Sequence, residues 1–361
     1  MRIQDISALS VSPETPIREV MERFNRSGKQ IALIVNGEDR LKGIATDGDI
    51  RRALLRDFTI GTPVREAMKK DPVVAPDTLS SVSALKIMKA NSIRHLPIVD
   101  EDGRIVALEI LDFVNMEVGS ESLTAVLMAG GEGQRLRPLT NTLPKPMLPV
   151  GDRPILEIML RLLQASGFNR VLISVGYLGC KIQEYFENGS RIGMDIHYLE
   201  ESKPQGTAGS LGLIPDELKP DSPFLVINGD LLTRLDFNAF RSFHIAADYE
   251  LTLCCRPYEV EVPYGYPVIA GDAVVDFQEK PTFHHLVNSG IYCLSPALLK
   301  EIPHQSFFHM TDLIQILCKS KRRVGVFPLR EPFHEIGRME SYESAEEFFQ
   351  QHFVNNDTES N

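Results

Sequence analysis

A glycine-rich segment followed by two cations is the part of this 361-residue chain whose residue types best suit chemistry. Residues 130–137 read Gly-Gly-Glu-Gly-Gln-Arg-Leu-Arg, and a Pro-Lys-Pro step follows at 144–146. Glycines let backbone N–H groups approach a phosphate that a Cβ would keep away. Arg135 can fork onto phosphate oxygens, and Lys145 adds a point charge on a stretch that its prolines stiffen. The spacing therefore predicts a cradle for a phosphate.

Two apolar runs must position this chemistry. Residues 123–127 precede the glycines, and residues 224–227 lead into Asn228-Gly229-Asp230. Both runs are typical of buried parallel strands. Ligands of open α/β sheets bind at the carboxyl ends of the strands, so we expect the glycines and Asp230 at one edge of a sheet. A turn that Asp230 merely caps is the alternative that the residues alone leave open.

The stretch 127–146 resembles the signature of the sugar-1-phosphate nucleotidyltransferases, the family that makes nucleotide sugars. Its spacing is Gly-Gly-x-Gly-x-Arg-Leu-x-Pro-Leu-Thr and then Pro-Lys-Pro, with Gln134 where the family usually has Thr. Further similar stretches follow in the family's order to about Phe349. The resemblance implies an α/β, Rossmann-like (GT-A-like) domain with a mixed, mostly parallel sheet over residues 123–354. It also implies transfer of a nucleotidyl group from a nucleoside triphosphate to a hexose-1-phosphate, with release of pyrophosphate.

The same resemblance assigns a nucleotide site and a metal site. The nucleotide-binding residues that it implies are Leu127, Ala129, Gly130, Gly131, Gly133, Gln205, Gly206 and Asn228. Asp230 would bind Mg²⁺, an ion that is usually held by one or two carboxylates plus substrate phosphates. Glu335 is the expected second metal ligand, at a position where the family commonly has Asp. Its alternative is a solvated turn before a helix predicted over 342–353.

Three later segments match the family's sugar and base contacts. The resemblance implies that Gly265, Glu279 and Asn288 bind the sugar and that Lys280 meets the sugar phosphate. The Glu-Lys-Pro step at 279–281 is by itself a common surface turn. Residues 205–210 would frame the base at a helix N-terminus, which favours negative charge. An ordinary loop that leads into a helix is the alternative for that segment.

The implied catalytic residues are Arg135, Lys145, Asp230 and Lys280. The sugar phosphate is already ionised at pH 7, so we assign no general base and expect catalysis from positioning and charge neutralisation. Residues 128–131 are more similar to the guanylyltransferases of the mannose-1-phosphate type than to the uridylyltransferases. GTP is therefore favoured, with an amino- or neutral hexose-1-phosphate as acceptor.

An internal repeat fills roughly the first 118 residues. Val-Ser-Pro-Glu-Thr at 11–15 returns as Val-Ala-Pro-Asp-Thr at 74–78, an offset of 63 residues. Each copy continues as an amphipathic helix, a strand, a turn and a second strand, and two copies this short are expected to pair. The arrangement resembles an α+β tandem pair of cystathionine-β-synthase (CBS) domains, at about 1–60 and 61–118.

The first CBS copy contains a candidate adenosine site. Residues 43–49 match the CBS pattern in which a threonine and an aspartate, here Thr46 and Asp49, contact phosphate and ribose. Both residues also fit an N-cap motif for a helix that starts near Ile50. The second copy, at 107–113, has no threonine in either plausible register, so at most one adenine nucleotide is expected per pair. A CBS pair ahead of such a transferase is similar to the glucosamine-1-phosphate guanylyltransferases of bacterial legionaminic acid synthesis.

Composition narrows the classes of protein to which the chain could belong. A net charge of −11 argues against a nucleic-acid-binding surface. The chain shows no long apolar run and no signal peptide, so we expect a cytoplasmic protein without membrane contact. Five cysteines without a C-x-x-C spacing predict buried thiols in a reducing compartment. Because CBS pairs often dimerise, a homo-oligomer is expected. The polar segments 118–122 and 355–361 are predicted to be a linker and a disordered tail.

Two other classes remain open on the sequence. A nucleotide-sensing protein that uses the CBS pair and has lost transferase activity is supported only by Gln134 and Glu335, which depart from the family pattern. A glycosyltransferase on a similar sheet would need a D-x-D metal motif. Residues 228–230 supply only one of its two carboxylates.

Overall fold

Two units make up the chain, Met1–Gly119 and Ser120–Asn361. The computed structural model describes residues 2–56, 58–91, 93–110 and 122–354. The predicted linker (apart from Ser122), the end of the second CBS copy at 111–113 and the predicted tail at 355–361 lie outside the described residues. No helix of the described part of the chain is both long and apolar enough to span a bilayer.

The N-terminal unit repeats one arrangement twice: a short strand, a helix and a hairpin of two longer strands. Its elements in chain order are β1 (Arg2–Ile3), β2 (Ser10–Val11), α1 (Ile17–Ser27), β3 (Ile31–Val35), β4 (Leu41–Thr46), α2 (Asp47–Leu54), β5 (Ala75–Pro76), α3 (Ser81–Ala90), β6 (His95–Val99) and β7 (Ile105–Ile110). Ile17, Val20 and Phe24 bury one face of α1 because they recur at helical spacing. Gly28 ends this helix in the left-handed conformation, at φ 63°.

Strand pairing fixes how the two CBS copies correspond. One sheet has the order β2-β3-β4 and the other has the order β1-β7-β6-β5. Thr46 pairs with Ile31, the first residue of β3, and Ile110 pairs with His95, the first residue of β6. Ile110 therefore takes the place in the second copy that Thr46 has in the first. The second copy has no hydroxyl at this position.

The C-terminal unit is built on a seven-stranded sheet. Its strands in chain order are β8 (Thr124–Met128), β9 (Pro149–Val150), β10 (Arg153–Pro154), β11 (Arg170–Val175), β12 (Asp195–Glu200), β13 (Phe224–Asn228), β14 (Leu231–Thr233), β15 (Leu251–Glu261), β16 (Tyr266–Ala270), β17 (Ala273–Gln278), β18 (Thr282–Leu294), β19 (Val324–Pro328) and β20 (Phe333–Glu335). Its α-helices are α4 (Ile155–Ala165), α5 (Gly179–Phe186), α6 (Gly206–Gly209), α7 (Phe237–Ala246), α8 (Met310–Lys319), α9 (Met339–Glu343) and α10 (Ala345–Phe349).

The sheet has the order β12-β11-β8-β13-β18-β15-β19. Four of its six neighbouring pairs are parallel, so the predicted mixed, mostly parallel α/β sheet is confirmed. Ala125 and Leu127 of β8 pack in one core with Leu156 of α4, whereas Val126 packs in a second core with Leu313 of α8. Since neighbouring residues of a strand face opposite sides, helices cover both faces and leave the strand ends open.

Several predicted boundaries need correction. The apolar run at 123–127 is β8 shifted by one residue, to Thr124–Met128. The helix predicted near Ile50 already begins at Asp47. The helix predicted over 342–353 is instead three pieces, α9, α10 and a π-helical turn at Gln350–Val354. Ser344 lies between α9 and α10, and both its hydroxyl and its N–H donate hydrogen bonds to the Glu340 carbonyl, at 3.1 and 3.2 Å.

Three of the five thiols, those of Cys254, Cys255 and Cys293, are buried as predicted. Cys180 and Cys318 are exposed, contrary to the prediction. Cys318 is exposed because α8 buries its opposite side, which carries Met310, Leu313 and Leu317. All five cysteines are free.

Candidate active site

A cavity of about 640 Å³ opens at the carboxyl ends of β8 and β13. These two strands are parallel neighbours, so the glycine loop after β8 and Asp230 after β13 meet at one edge of the sheet. The volume lies within the range of small-molecule sites. The residues predicted from the sequence that line this cavity are Ala129, Gly130, Gly131, Gly133, Arg135, Lys145, Gly206, Asn228, Asp230 and Glu335.

The glycine loop folds back onto the Pro-Lys-Pro step. Gly133 lies in the left-handed region at φ 61°, and a Cβ on it would come within 3.1 Å of the Lys145 Cβ and 3.0 Å of the Thr140 side chain. The Thr140 hydroxyl donates a hydrogen bond of 2.9 Å to the Gly133 carbonyl. Only glycine therefore lets the loop and the lysine share one wall of the cavity.

Lys145 reaches across the cavity to Asp230. Only 9% of Lys145 is exposed, and its Nζ donates a hydrogen bond to Oδ2 of Asp230 in an ion pair. The other carboxylate oxygen, Oδ1, is buried and has no hydrogen-bond partner. Buried charged oxygens are normally satisfied, so Oδ1 is an acceptor that awaits a ligand.

Glu335 lies beside Asp230 because two short strands pair directly after it. Leu231 of β14 is opposite Glu335 of β20, and the Ile336 N–H donates a 3.0 Å hydrogen bond to the Asp230 carbonyl. The Arg135 guanidinium borders the same wall, 3.9 Å from the place where a Gly337 Cβ would stand. The strand pair therefore brings two carboxylates and one arginine to a single wall.

These two carboxylates fit a divalent cation. In the described residues no group of three or more His, Cys, Asp or Glu side chains is arranged as a metal site. A protein that offers two carboxylates, one with an unpartnered oxygen, suits Mg²⁺, which takes its remaining oxygens from phosphates and water. The donor set does not suit Zn²⁺, which prefers histidine and cysteine ligands.

Glu201 and Phe307 are among the cavity residues that were not predicted from the sequence. Glu201 directly follows β12, and its Oε2 accepts a 2.9 Å hydrogen bond from the Gln205 N–H while its Oε1 accepts one from the Ser174 hydroxyl. A Cβ on Gly130 would come within 2.6 Å of Glu201 Oε1. Phe307 also lines the cavity, with 64% of its surface exposed. A carboxylate at the end of a strand, as at Asp230, was the signal that identifies Glu201.

The segment 205–210 borders the cavity through Gly206, and its contact with the base stays a prediction. Its helix, α6, is a single turn, and the N–H groups of Ala208 and Gly209 both donate 3.0 Å hydrogen bonds to the Phe308 carbonyl. These two donors are therefore not open to an anion. Gln205 is 2% exposed and lies outside the cavity lining, although its buried Oε1 has no partner.

The predicted sugar-side residues do not line the cavity. β15 and β18 continue together beyond the sheet to the pair Glu261–Thr282, and the hairpin β16–β17 follows with exposed faces. Gly265, Glu279 and Lys280 belong to this exposed arm, in which Glu279 Oε2 would lie 3.2 Å from a Gly265 Cβ. Asn288 is at its base, where its amide donates a 2.6 Å hydrogen bond to the Tyr292 hydroxyl.

Leu127, which was also predicted to contact the nucleotide, is fully buried in the core.

Cys255, which pairs with Asn288, is no candidate nucleophile. Burial raises the pKa of its thiol to about 11, so the thiol stays protonated at neutral pH.

In the N-terminal unit, Thr46 and Asp49 form a capping box at the start of α2. The Thr46 hydroxyl accepts a 3.3 Å hydrogen bond from the Asp49 N–H, and Asp49 Oδ2 accepts a 2.9 Å hydrogen bond from the Thr46 N–H. The N-cap interpretation of these residues is confirmed. Their contact with adenosine stays a prediction.

A mixed sheet with a glycine-rich loop at its carboxyl edge, preceded by a tandem repeat of small α+β modules, is the architecture of a nucleotidyltransferase fused to CBS domains. The chain belongs to the nucleotidyl transferase family, whose sequence profile matches residues 124–352. The CBS domain profile matches residues 3–56 and 64–108.

Similar proteins transfer nucleotides of more than one base. The chain is 33% identical over 242 residues to the UTP–glucose-1-phosphate uridylyltransferase of Synechocystis sp., which is 62% of each chain. It is 29% identical over 235 residues to the D-glycero-α-D-manno-heptose 1-phosphate guanylyltransferase of Aneurinibacillus thermoaerophilus, which is 64% of this chain and 100% of that one. The crystal structure of HddC from Yersinia pseudotuberculosis is similar at a TM-score of 0.50 and 28% identity, over 63% of this chain and 99% of that one.

Proposed function

We propose that the C-terminal unit is a Mg²⁺-dependent sugar-1-phosphate nucleotidyltransferase that joins a nucleoside triphosphate to a hexose-1-phosphate and releases pyrophosphate. The observation that carries this proposal is the cavity in which the glycine loop, Arg135 and Lys145 face the neighbouring carboxylates of Asp230 and Glu335. Cations and carboxylates gathered in one cavity suit a reaction between two anions. Membership of the nucleotidyl transferase family supports it.

The cationic and the acidic residues of the cavity have different roles in the proposed reaction. The sugar phosphate oxygen attacks the α-phosphorus, so the glycine-loop N–H groups and Arg135 have to stabilise the charge that develops on the departing pyrophosphate. Lys145 provides a positive charge for the α-phosphate. Asp230 and Glu335 would hold Mg²⁺, which would supply charge neutralisation for the phosphates. Asn228 borders the same edge and helps to orient the nucleotide.

Guanine is the base that the cavity suits best. Guanine presents two adjacent donors, N1–H and the N2 amine, whereas uracil presents one N–H between two carbonyl acceptors. The Glu201 carboxylate is fixed by Ser174 and Gln205 and still has free lone pairs. A carboxylate accepts both guanine donors and repels the carbonyls of uracil. Because similar proteins are named for uridylyl and for guanylyl transfer, GTP rests on this one residue and on the sequence of the glycine loop.

Pyrophosphate production tests the proposal. The full chain is incubated with Mg²⁺ and with GTP, UTP, ATP, CTP or dTTP against glucose-, mannose- and glucosamine-1-phosphate, and pyrophosphate is measured enzymatically. We expect GTP to be used best, with a hexose-1-phosphate as an obligatory second substrate. Absence of pyrophosphate in every pair, with nucleotide binding retained, would instead support the alternative of a nucleotide-sensing protein.

We also propose that the first CBS copy binds one adenine nucleotide and that this nucleotide regulates the transferase. The CBS profile match and the Thr46–Asp49 pair support this role, and the isoleucine at the corresponding place in the second copy supports a single site. Titration calorimetry with AMP, ADP and ATP measures the stoichiometry, and mass measurement in solution tests the predicted homo-oligomer. A stoichiometry of two would contradict the single site.

A further inference from the structure

Phe307 is, among the residues that the structure describes, the one aromatic side chain in the lining of the cavity. Although this side chain is large and apolar, 64% of its surface is exposed. A ring that stays in water forgoes most of the stabilisation that its burial would supply. Exposure of this kind inside a polar cavity is typical of a surface that receives a flat, apolar part of a ligand.

Backbone hydrogen bonds fix the segment of Phe307 beside Glu201. The N–H of the next residue, Phe308, donates a 2.8 Å hydrogen bond to the Gln205 carbonyl, and the Gln205 N–H donates one of 2.9 Å to Glu201 Oε2. A Cβ on Gly206 would lie 2.6 Å from the Phe308 carbonyl oxygen, so the two segments are in direct contact. The ring of Phe307 and the carboxylate of Glu201 therefore belong to one wall of the cavity.

His309 restricts the movement of the Phe307 ring. The two ring centres lie 4.7 Å apart and the ring planes meet at 79°, which is an edge-to-face contact. His309 is itself held near Thr207, whose hydroxyl oxygen lies 3.4 Å from Nδ1. A ring that has such a support and is still largely exposed loses little conformational entropy when a ligand stacks on it.

We propose that Phe307 stacks on the base of the nucleoside triphosphate and thereby favours purines over pyrimidines. The assignment rests on the proposed function, in which Glu201 contacts the edge of the base and the glycine loop takes the phosphates. Every base has a π face that can stack on an aromatic side chain, and the two fused rings of a purine offer the larger face. None of the residues that the sequence assigned to the nucleotide has an aromatic ring, so Phe307 supplies a contact that they cannot make.

A tryptophan at position 307 reports stacking directly, because the chain has no tryptophan of its own. The emission of Phe307→Trp is followed at saturation with each ligand, and calorimetry shows that the ligand is bound. We expect GTP to quench the emission more strongly than UTP, and inorganic triphosphate and hexose-1-phosphate to leave it unchanged. Ile316→Trp is the control, since Ile316 is 42% exposed on α8 and lies outside the cavity lining. Equal quenching by GTP and UTP, or quenching by a ligand without a base, would overturn the proposal.

Steady-state kinetics of Phe307→Ala and Phe307→Tyr separate stacking from a structural role. Loss of the ring should raise the KM for GTP about 5- to 100-fold and the KM for UTP less, since the stacked face is smaller in UTP. The KM for hexose-1-phosphate should stay within about twofold. Tyrosine keeps the ring, so Phe307→Tyr should stay within about threefold of the wild-type chain in every KM. An unchanged KM for GTP in Phe307→Ala, or an equal rise in both variants, would contradict the stacking role.

The fluorescence measurement does not depend on turnover. Quenching of Phe307→Trp by GTP in a chain that releases no pyrophosphate would sink the proposed function and keep this inference. Pyrophosphate release from GTP by Phe307→Trp, without any change of emission on binding, would sink this inference and leave the function standing.

Discussion

Lys145 and Asp230 form an ion pair that spans the cavity between the ends of two neighbouring parallel strands. The lysine is almost fully buried and donates to Oδ2 of the aspartate, while Oδ1 has no partner. One oxygen is thus neutralised by the protein and the other is left for a ligand. The arrangement explains why the Pro-Lys-Pro step and the strand end at Asp230, 85 residues apart in sequence, act as one site.

Gly130→Ala should damage the cavity, whereas Gly131→Ala should not. A Cβ on Gly130 would come within 2.6 Å of Glu201 Oε1, and that oxygen is held by Ser174. We expect a loss of about 1–3 kcal/mol in the free energy of unfolding and weaker nucleotide binding. A Cβ on Gly131 meets nothing within 4 Å, so its unfolding free energy should change by less than about 0.5 kcal/mol. Urea denaturation measures both, and equal losses would contradict the role given to Glu201.

Glu201→Gln should weaken the discrimination between GTP and ITP. Inosine lacks the N2 amine of guanine, so the wild-type chain should use ITP about 10- to 100-fold less well in kcat/KM, the worth of one hydrogen bond to a charged group. A glutamine offers only one acceptor oxygen and no charge, so the GTP/ITP ratio should fall towards one. A variant that loses GTP and ITP activity by the same factor would show that Glu201 does not contact the base.

Thr46→Ala should destabilise the N-terminal unit by about 1 kcal/mol, the usual effect of removing an N-cap. The cause is the lost hydrogen bond from the Asp49 N–H, now 3.3 Å from the threonine hydroxyl. Thr78→Ala replaces an exposed threonine of the second copy and serves as the control. Thermal unfolding followed by circular dichroism compares the two variants. Unchanged stability in Thr46→Ala would mean that the capping box contributes nothing to folding.

Stability should fall on mild acidification because of His244. Burial lowers the pKa of His244 to about 4, and its ring contacts the hydroxyls of Thr252 at 2.9 Å and Ser295 at 3.3 Å. The unfolded chain, in which histidine has a pKa of about 6.5, binds the proton more tightly. The contribution of neutral, buried His244 to the free energy of unfolding is therefore complete above pH 6.5. It is lost as the pH falls towards 4, and the loss amounts to up to about 3 kcal/mol.

The pH dependence of unfolding in His244→Asn checks this prediction. The variant should lose stability less steeply between pH 6.5 and 4 than the wild-type chain. His284→Asn, which replaces an exposed histidine, should keep the wild-type slope. Parallel curves for the wild-type chain and His244→Asn would show that His244 is not buried in its neutral form.

Local patterns predicted the sheet well because its strands are short, apolar and buried on both faces. The strand predicted over 224–227 is β13 with one residue added, and the one predicted over 123–127 is β8 shifted by one residue. The glycine loop and Asp230 met as predicted because parallel strands share one carboxyl edge.

What the sequence did not reveal depends on contacts distant along the chain. Glu201 becomes a cavity residue only because Ser174 on a neighbouring strand and the Gly130 backbone hold it there. Two N–H groups of α6, those of Ala208 and Gly209, are occupied because they donate hydrogen bonds to the Phe308 carbonyl, about 100 residues later.

Asp230→Asn, assayed for pyrophosphate release with saturating GTP and hexose-1-phosphate, tests the central claim most directly. Asparagine keeps the shape of the side chain and removes the charge on which Lys145 and the cation depend. We predict a loss in kcat of about 10²–10³-fold or more at saturating Mg²⁺, with the secondary structure retained by circular dichroism. An Asp230→Asn protein that releases pyrophosphate at the wild-type rate, with or without a chelator, would contradict the account.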